Sequence, residues 1–134
     1  MRAYKSEGEN DFIHEFYEEG EFIGNYISYQ NQIPIEIKFG TIEDCEIIKI
    51  PFKSIETLSQ KIEAIQKFSE FIGKQKEKKL LARATSLLVD NPESRYKKLL
   101  NERPQLILRV PQYYLAQYLG ICPISLSRIR KRIS

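Results

Sequence analysis

The chain has two cysteines, a single histidine, no acidic residue after Glu102 and no long uninterrupted run of apolar residues. Each shortage excludes something. A spanning helix needs about eighteen or more consecutive apolar residues, and the N-terminal MRAYKSEGEN lacks the apolar stretch of a secretory signal. The expectation is therefore a soluble protein of the cytoplasm without a membrane partner. Cys45 and Cys122 stand far apart, with no companions at zinc-ligand spacing, so they read as reduced structural thiols. No metal and no cofactor are expected. His14 lies in a strand-like run beside Asp11 and Glu15, but no Ser or Cys nucleophile motif, glycine-rich phosphate loop or paired-carboxylate helix accompanies it. A solvated strand histidine is the commoner case, so no catalytic residue is assigned and the chain is not expected to be an enzyme. There is also no internal repeat and no low-complexity segment.

What is present is enough for a core. At 134 residues and 42% hydrophobic content the chain can build one ordinary domain or two small ones. Its net charge of +3 is unevenly spread, because residues 1–50 carry four Lys/Arg against eleven Asp/Glu, whereas residues 51–134 carry seventeen against seven. After Glu102 come Arg103, Arg109, Arg128, Arg130, Lys131 and Arg132. An acidic front and a basic back point to a polyanion as partner of the back, nucleic acid before membrane.

Residues 1–52 read as short extended runs separated by turns: MRAYKS, EGEN, DFIHEFY, EEGE, then IPIEIKFG, TIED and CEIIKI, closed by Pro51. Alternation is clearest at Ile33, Ile35, Ile37 and Phe39, which would share one face of an antiparallel meander. Between these runs EFIGNYISYQNQ suits a short helix and loop. From Ser54, a plausible N-cap, the period becomes helical: Leu58, Ile62, Ile65 and Ile72 trace a heptad-like seam that Phe68 and Phe71 widen, and Leu80, Leu81, Ala84, Leu87 and Leu88 continue it. Gly73 predicts a kink or a tolerated flaw. So long a seam with so little sheet to cover it predicts pairing with a second copy through Leu58, Ile62, Ile65 and Ile72.

DNPESRYKKLLNERP supplies Asn91 as N-cap, Pro92 at the first helical position, Glu93 in the first turn and Pro104 as stop. QLILRV reads as an extended link. The last twenty residues, LAQYLGICPISLSRIRKRIS, fit two helices joined by a tight turn: Ala116 small at the crossing, Gly120 left-handed in the turn, Pro123 opening the second helix, and Leu115, Leu119, Ile121, Leu126 and Ile129 as shared core. In such a helix-turn-helix the start of the second helix enters the major groove. Arg128 is the candidate for a bidentate contact to guanine, Ile124 can touch a thymine methyl, Ser125 and Ser127 are candidate base or phosphate contacts, and Arg130, Lys131 and Arg132 suit phosphates. Of Tyr113, Tyr114 and Tyr118, one or two are expected in the core and another near a phosphate.

The string RYKKLLNERPQLILRVPQYYLAQYLGICPISLSRIRK resembles the C-terminal DNA-binding region of the Crp/Fnr family of bacterial transcription regulators. FYEEGEFIGNYISYQ looks like the opening of the phosphate-binding cassette in that family's cyclic-nucleotide-binding-like β-roll, and residues 54–89 stand where its dimerisation helix runs. The resemblance implies an α+β fold of three parts: a partial antiparallel β-roll over 1–53, either N-terminally truncated or with its missing strands replaced by another copy, a dimerisation helix over 54–89, and a helix-turn-helix over 90–134 without a C-terminal wing. It implies a homodimer reading a two-fold symmetric operator in double-stranded DNA. In nucleotide-binding members the cassette presents Gly-Glu and a later Arg, but here Gly24 is followed by Asn25 and QIPIEIKF holds no Arg, so a response to cyclic AMP is not expected. A small-molecule effector of another kind is left open, with no effector-binding residue assigned. The competing expectation is a dimeric effector- or partner-binding module that keeps the fold without reading DNA.

Overall fold

In the computed structural model of this chain the described residues are 1–8 and 10–133, with the side chains of Tyr26 and Ile27 left out. They form three strands and seven helices: β1 (Arg2–Glu7), β2 (Asn10–Phe16), α1 (Tyr26–Asn31), β3 (Lys38–Gly40), α2 (Phe52–Ser59), α3 (Glu63–Val89), α4 (Pro92–Glu102), α5 (Pro104–Arg109), α6 (Gln112–Tyr118) and α7 (Pro123–Ile133). The class is α+β, with a small antiparallel sheet of order β2-β1-β3. β1 runs against β2 from Arg2↔Phe16 to Glu7↔Asn10, with an irregularity between Ala3 and Tyr4, and against β3 from Arg2↔Gly40 to Tyr4↔Lys38.

The core lies where β2 meets the C-terminal helices. Ile13 and Phe16 of β2 pack with Tyr96 and Leu99 of α4, Leu106 and Ile107 of α5, Leu115 and Ala116 of α6, and Leu126 and Ile129 of α7. Phe16, Leu115 and Leu126 are fully buried. Each such side chain contributes about 1.5–3 kcal/mol relative to exposure, so this cluster dominates stability. Phe16 also sits 5.1 Å from the ring of Tyr118.

Local chemistry explains the helix boundaries at the back. Asn91 caps α4 by accepting from the Ser94 N–H at 2.9 Å, with Pro92 at the first position and Glu93 in the first turn. Pro104 ends α4 and also opens α5, so QLILRV is helical rather than the extended link its composition suggests. A six-residue apolar run does not distinguish the two states by period. Here burial of Leu106, Ile107 and Val110 on one core decides for the helix.

The front departs further from expectation. Only Lys38–Gly40 of the alternating IPIEIKFG run pairs as a strand, and CEIIKI forms none. Pro34 has no N–H for a ladder, and Ile33, at 63% exposure, and Ile48, at 86%, find no second layer. The helical seam is also divided. α2 begins after Pro51, which replaces Ser54 as the flanking residue, and ends at Ser59, while α3 starts after Ile62, whose backbone is extended. The break lets α2 lay Phe52 against Tyr29 and Gly24 while α3 takes its own course, with Phe68 against Phe22. Leu58 therefore sits on α2, Ile62 at the break, and Ile65 and Ile72 on α3 in partly covered positions. Gly73 is accommodated inside a continuous α3, with open space around it.

No residue of α3 is buried. Its most exposed apolar side chains are Leu80, Leu81, Leu88 and Val89. At 100° per residue Leu80, Leu81, Ala84, Leu87 and Leu88 form one stripe, rotated away from the face of Ile65 and Ile72.

Candidate nucleic-acid interface

The α6–α7 pair is built from the turn outward. At the end of α6 the Ile121 N–H reaches back to the Ala116 carbonyl and the Gly120 N–H to the Gln117 carbonyl, both at 3.0 Å. This reciprocal closure requires a left-handed residue between the helices, and Gly120 supplies it at φ +68°. Ala116, fully buried, and Leu115, Leu119, Leu126 and Ile129 form the contact between the helices, with Ile121 partly buried beside them. Pro123 opens α7, and its first turn is closed by the Leu126 N–H on the Cys122 carbonyl.

The helical period then divides α7 into faces. Leu126 and Ile129 point into the core with Ile133 packed against it, while Ile124, Ser127, Arg128 and Lys131 lie on the opposite side, all exposed. Arg130 and Arg132 flank this face from either side. Lys131 thus belongs to the same outward stripe as Arg128 rather than to the flanks. Ser125 is partly covered, and its hydroxyl lies 3.2 Å from the Cys122 sulfur. The Ser125 hydroxyl and then its backbone N–H pull the Cys122 thiol below its ordinary pKa.

The basic residues of the back are not equivalent. Arg103 donates to Glu15 at 2.8 Å, to Glu18 at 2.9 Å and to the Phe16 carbonyl at 2.8 Å, which ties the start of α5 to the end of β2. Burial opposes its charge, but Glu15 and Glu18 outweigh burial and raise its pKa. Arg109 pairs with Glu19 at 3.0 Å and with Glu43. The acidic front therefore neutralises part of the basic back within the chain. On α7 Arg132 pairs with a carboxylate, a 3.5 Å contact to Glu93. Arg130, Lys131 and Arg132 also complete the last turn of α7, where cations are favoured by the helix dipole.

Around this face, Tyr113 is exposed, Tyr114 lies under the Arg2 guanidinium at 4.1 Å, and Tyr118 packs between Phe16 and Arg83. Of the residues beside His14, Asp11 is held by Arg2 and Ser6, and Glu15 by Arg103. Among the described residues no group of three His, Cys, Asp or Glu side chains could hold a metal ion, and no helix is long and apolar enough to cross a membrane.

Two residues that the sequence reading passed over, Arg83 of α3 and Arg95 of α4, contact the end of α6 through its backbone carbonyls. Neither periodicity nor motif spacing signals a side chain whose partners are main-chain oxygens. Compared with known proteins, the chain matches no family model, no curated protein and no solved structure.

Proposed function

We propose that the chain is a sequence-specific DNA-binding transcriptional regulator of the Crp/Fnr type, working in the bacterial cytoplasm as a homodimer on a two-fold symmetric operator and without a response to cyclic AMP. The observation that carries the reading is the outward stripe of α7, which combines Ile124, Ser127, Arg128 and Lys131 on one face opposite Leu126 and Ile129. A helix presenting a small apolar group, a hydroxyl and a guanidinium within two turns has the chemistry that major-groove base edges ask for. The flanking cations add affinity that does not depend on sequence. In support of a dimer, α3 carries an apolar stripe at Leu80, Leu81, Ala84, Leu87 and Leu88 that its own chain leaves largely exposed. Dimerisation through the region of residues 54–89 would set two copies of α7 roughly one DNA turn, about 34 Å, apart.

The test is a panel of duplexes carrying single base-pair changes, titrated with the parent chain, Arg128→Ala and Lys131→Ala. Arg128→Ala is expected to relax preference at one base pair per half-site by about 1–3 kcal/mol. Lys131 lies on the stripe but in the last turn of α7, past the residues that enter the groove, so Lys131→Ala is expected to weaken all duplexes alike and to lower the slope of log affinity against log salt by about one. A parent chain that binds every duplex equally would overturn the reading.

A further inference from the structure

We infer that Arg83 and Arg95 are positioning residues for α7, clamping the end of α6 so that the reading helix is presented at a fixed angle to the rest of the chain. This rests on the reading of α7 as the DNA-contacting helix. A helix end leaves its last carbonyls without intrahelical donors. In α6 the backbone closes three of them: Leu115 accepts from Leu119, Ala116 from Ile121, and Gln117 from Gly120. The next two, of Tyr118 and Leu119, lie where the chain swings through Gly120, and side chains from other elements take them. Arg83 Nη2 donates to the Tyr118 carbonyl at 2.9 Å, and Arg95 Nε donates to the Leu119 carbonyl at 3.0 Å.

Each arginine has a second anchor. Arg83 Nη2 also donates to the Ile13 carbonyl of β2 at 3.0 Å, and its guanidinium stacks 3.8 Å from the centre of the Tyr118 ring. Arg95 Nη1 donates to the Asp90 carbonyl, at the junction of α3 and α4. Between them Leu87 of α3 leans on the turn, where a Cβ placed on Gly120 would lie 3.5 Å from its Cδ2 and 3.9 Å from Arg95. The turn is thus fixed from three directions, by α3, α4 and β2, and Pro123 begins α7 only three residues past Gly120. A tilt of 10–20° at this turn would carry Arg128 out of register with a base edge, since a bidentate contact tolerates little more than about 0.5 Å.

Arginine is required by the geometry. Arg83 holds two carbonyls from Nη2 while its face lies on the Tyr118 ring, and Arg95 spreads its two carbonyls over Nε and Nη1; a lysine ammonium has neither a face nor separated donor atoms and reproduces neither set. Arg83→Lys and Arg95→Lys therefore remove the clamp while keeping every charge. In the full chain, amide exchange at Gly120 and Ile121 should quicken at least about tenfold in either variant, reporting local opening of the turn. The ratio of affinities for the preferred duplex over a scrambled one should fall about tenfold, while affinity for the scrambled duplex and its salt dependence stay within about twofold.

A purely structural role would speed exchange and lower the melting temperature but leave that ratio unchanged, and this outcome overturns the positioning claim. So does parent-like exchange in both variants. A parent chain with no preference between duplexes overturns the DNA reading and the positioning claim together, whereas a discriminating parent matched by equally discriminating variants overturns the positioning claim alone.

Discussion

Residues 92–133 and residues 63–89 are both helical, but they are helical for different reasons. The first stretch divides into four short helices and, with the linking Val110 and Leu119, buries ten side chains between Tyr96 and Ile129. The second is one helix of 27 residues that buries none. Short helices of this size are marginal alone, so α4 to α7 depend on a common core and on punctuation by Asn91, Pro92, Pro104, Gly120 and Pro123. α3 depends instead on strong helix formers and on surface pairs such as Lys67 with Glu63, 2.7 Å apart, and Gln66 with Glu70, 3.1 Å apart. The contrast teaches where the chain is self-sufficient. The back, together with β2, buries its own core, and the middle carries an apolar stripe that the chain itself leaves largely exposed.

The comparison can be broken most forcefully at the core of the back. Leu126→Ala removes a fully buried side chain shared by α6 and α7, and should cost about 3 kcal/mol in urea unfolding. A loss under about 1 kcal/mol would mean that the back is not held by this cluster. Next in size is the link between back and front. Arg103→Met takes one donor each from Glu15, Glu18 and the Phe16 carbonyl in a largely covered site, and should cost about 2 kcal/mol. Arg109→Met, whose partners are more exposed, should cost clearly less than Arg103→Met by the same measurement.

α3 can be sharpened rather than broken. Gly73 lies inside the helix with nothing near its Cβ position, so Gly73→Ala should stabilise the chain by about 1 kcal/mol, read as a higher melting temperature. A decrease would place another surface against that position. The smallest expected effect is electrostatic. Hydrogen bonding from Arg109 is the main cause holding the Glu19 carboxyl at about 2, below its ordinary 4.5. A depressed folded-state pKa means the stabilisation is present above the ordinary value and is lost as the pH falls through about 2. In Arg109→Met the pH dependence of the melting temperature between these limits should be shallower than in the parent, by an amount that salt screening reduces further.

The same division marks how much was legible in the sequence. Asn91, Pro92, Gly120 and Pro123 act on their immediate neighbours, so the boundaries of α4 and the α6–α7 turn could be read directly, and the placing of Arg128 on the face away from Leu126 and Ile129 follows from the helical period. α5 could not be read, because its short apolar run has no period to speak of. The alternation from Ile33 to Phe39 promises a strand, but a strand needs a neighbouring edge, and only Lys38–Gly40 lies alongside β1. The break at Ile62 answers to packing of α2 on Tyr29 and of α3 on Phe22, contacts across dozens of residues. Counting charges placed Arg103 and Arg109 with the cations of α7, whereas folding brings both to front carboxylates. Arg83 and Arg95 were illegible because carbonyl oxygens have no identity in a sequence.

The most direct test of the account is a binding selection from randomised duplex DNA at near-physiological salt, using the full chain. The account predicts enrichment of a palindromic site with half-site centres roughly 34 Å apart, the spacing of one helical turn. Salt-sensitive retention without any enriched sequence would contradict it, and would leave the cations of α7 as a basic surface and nothing more.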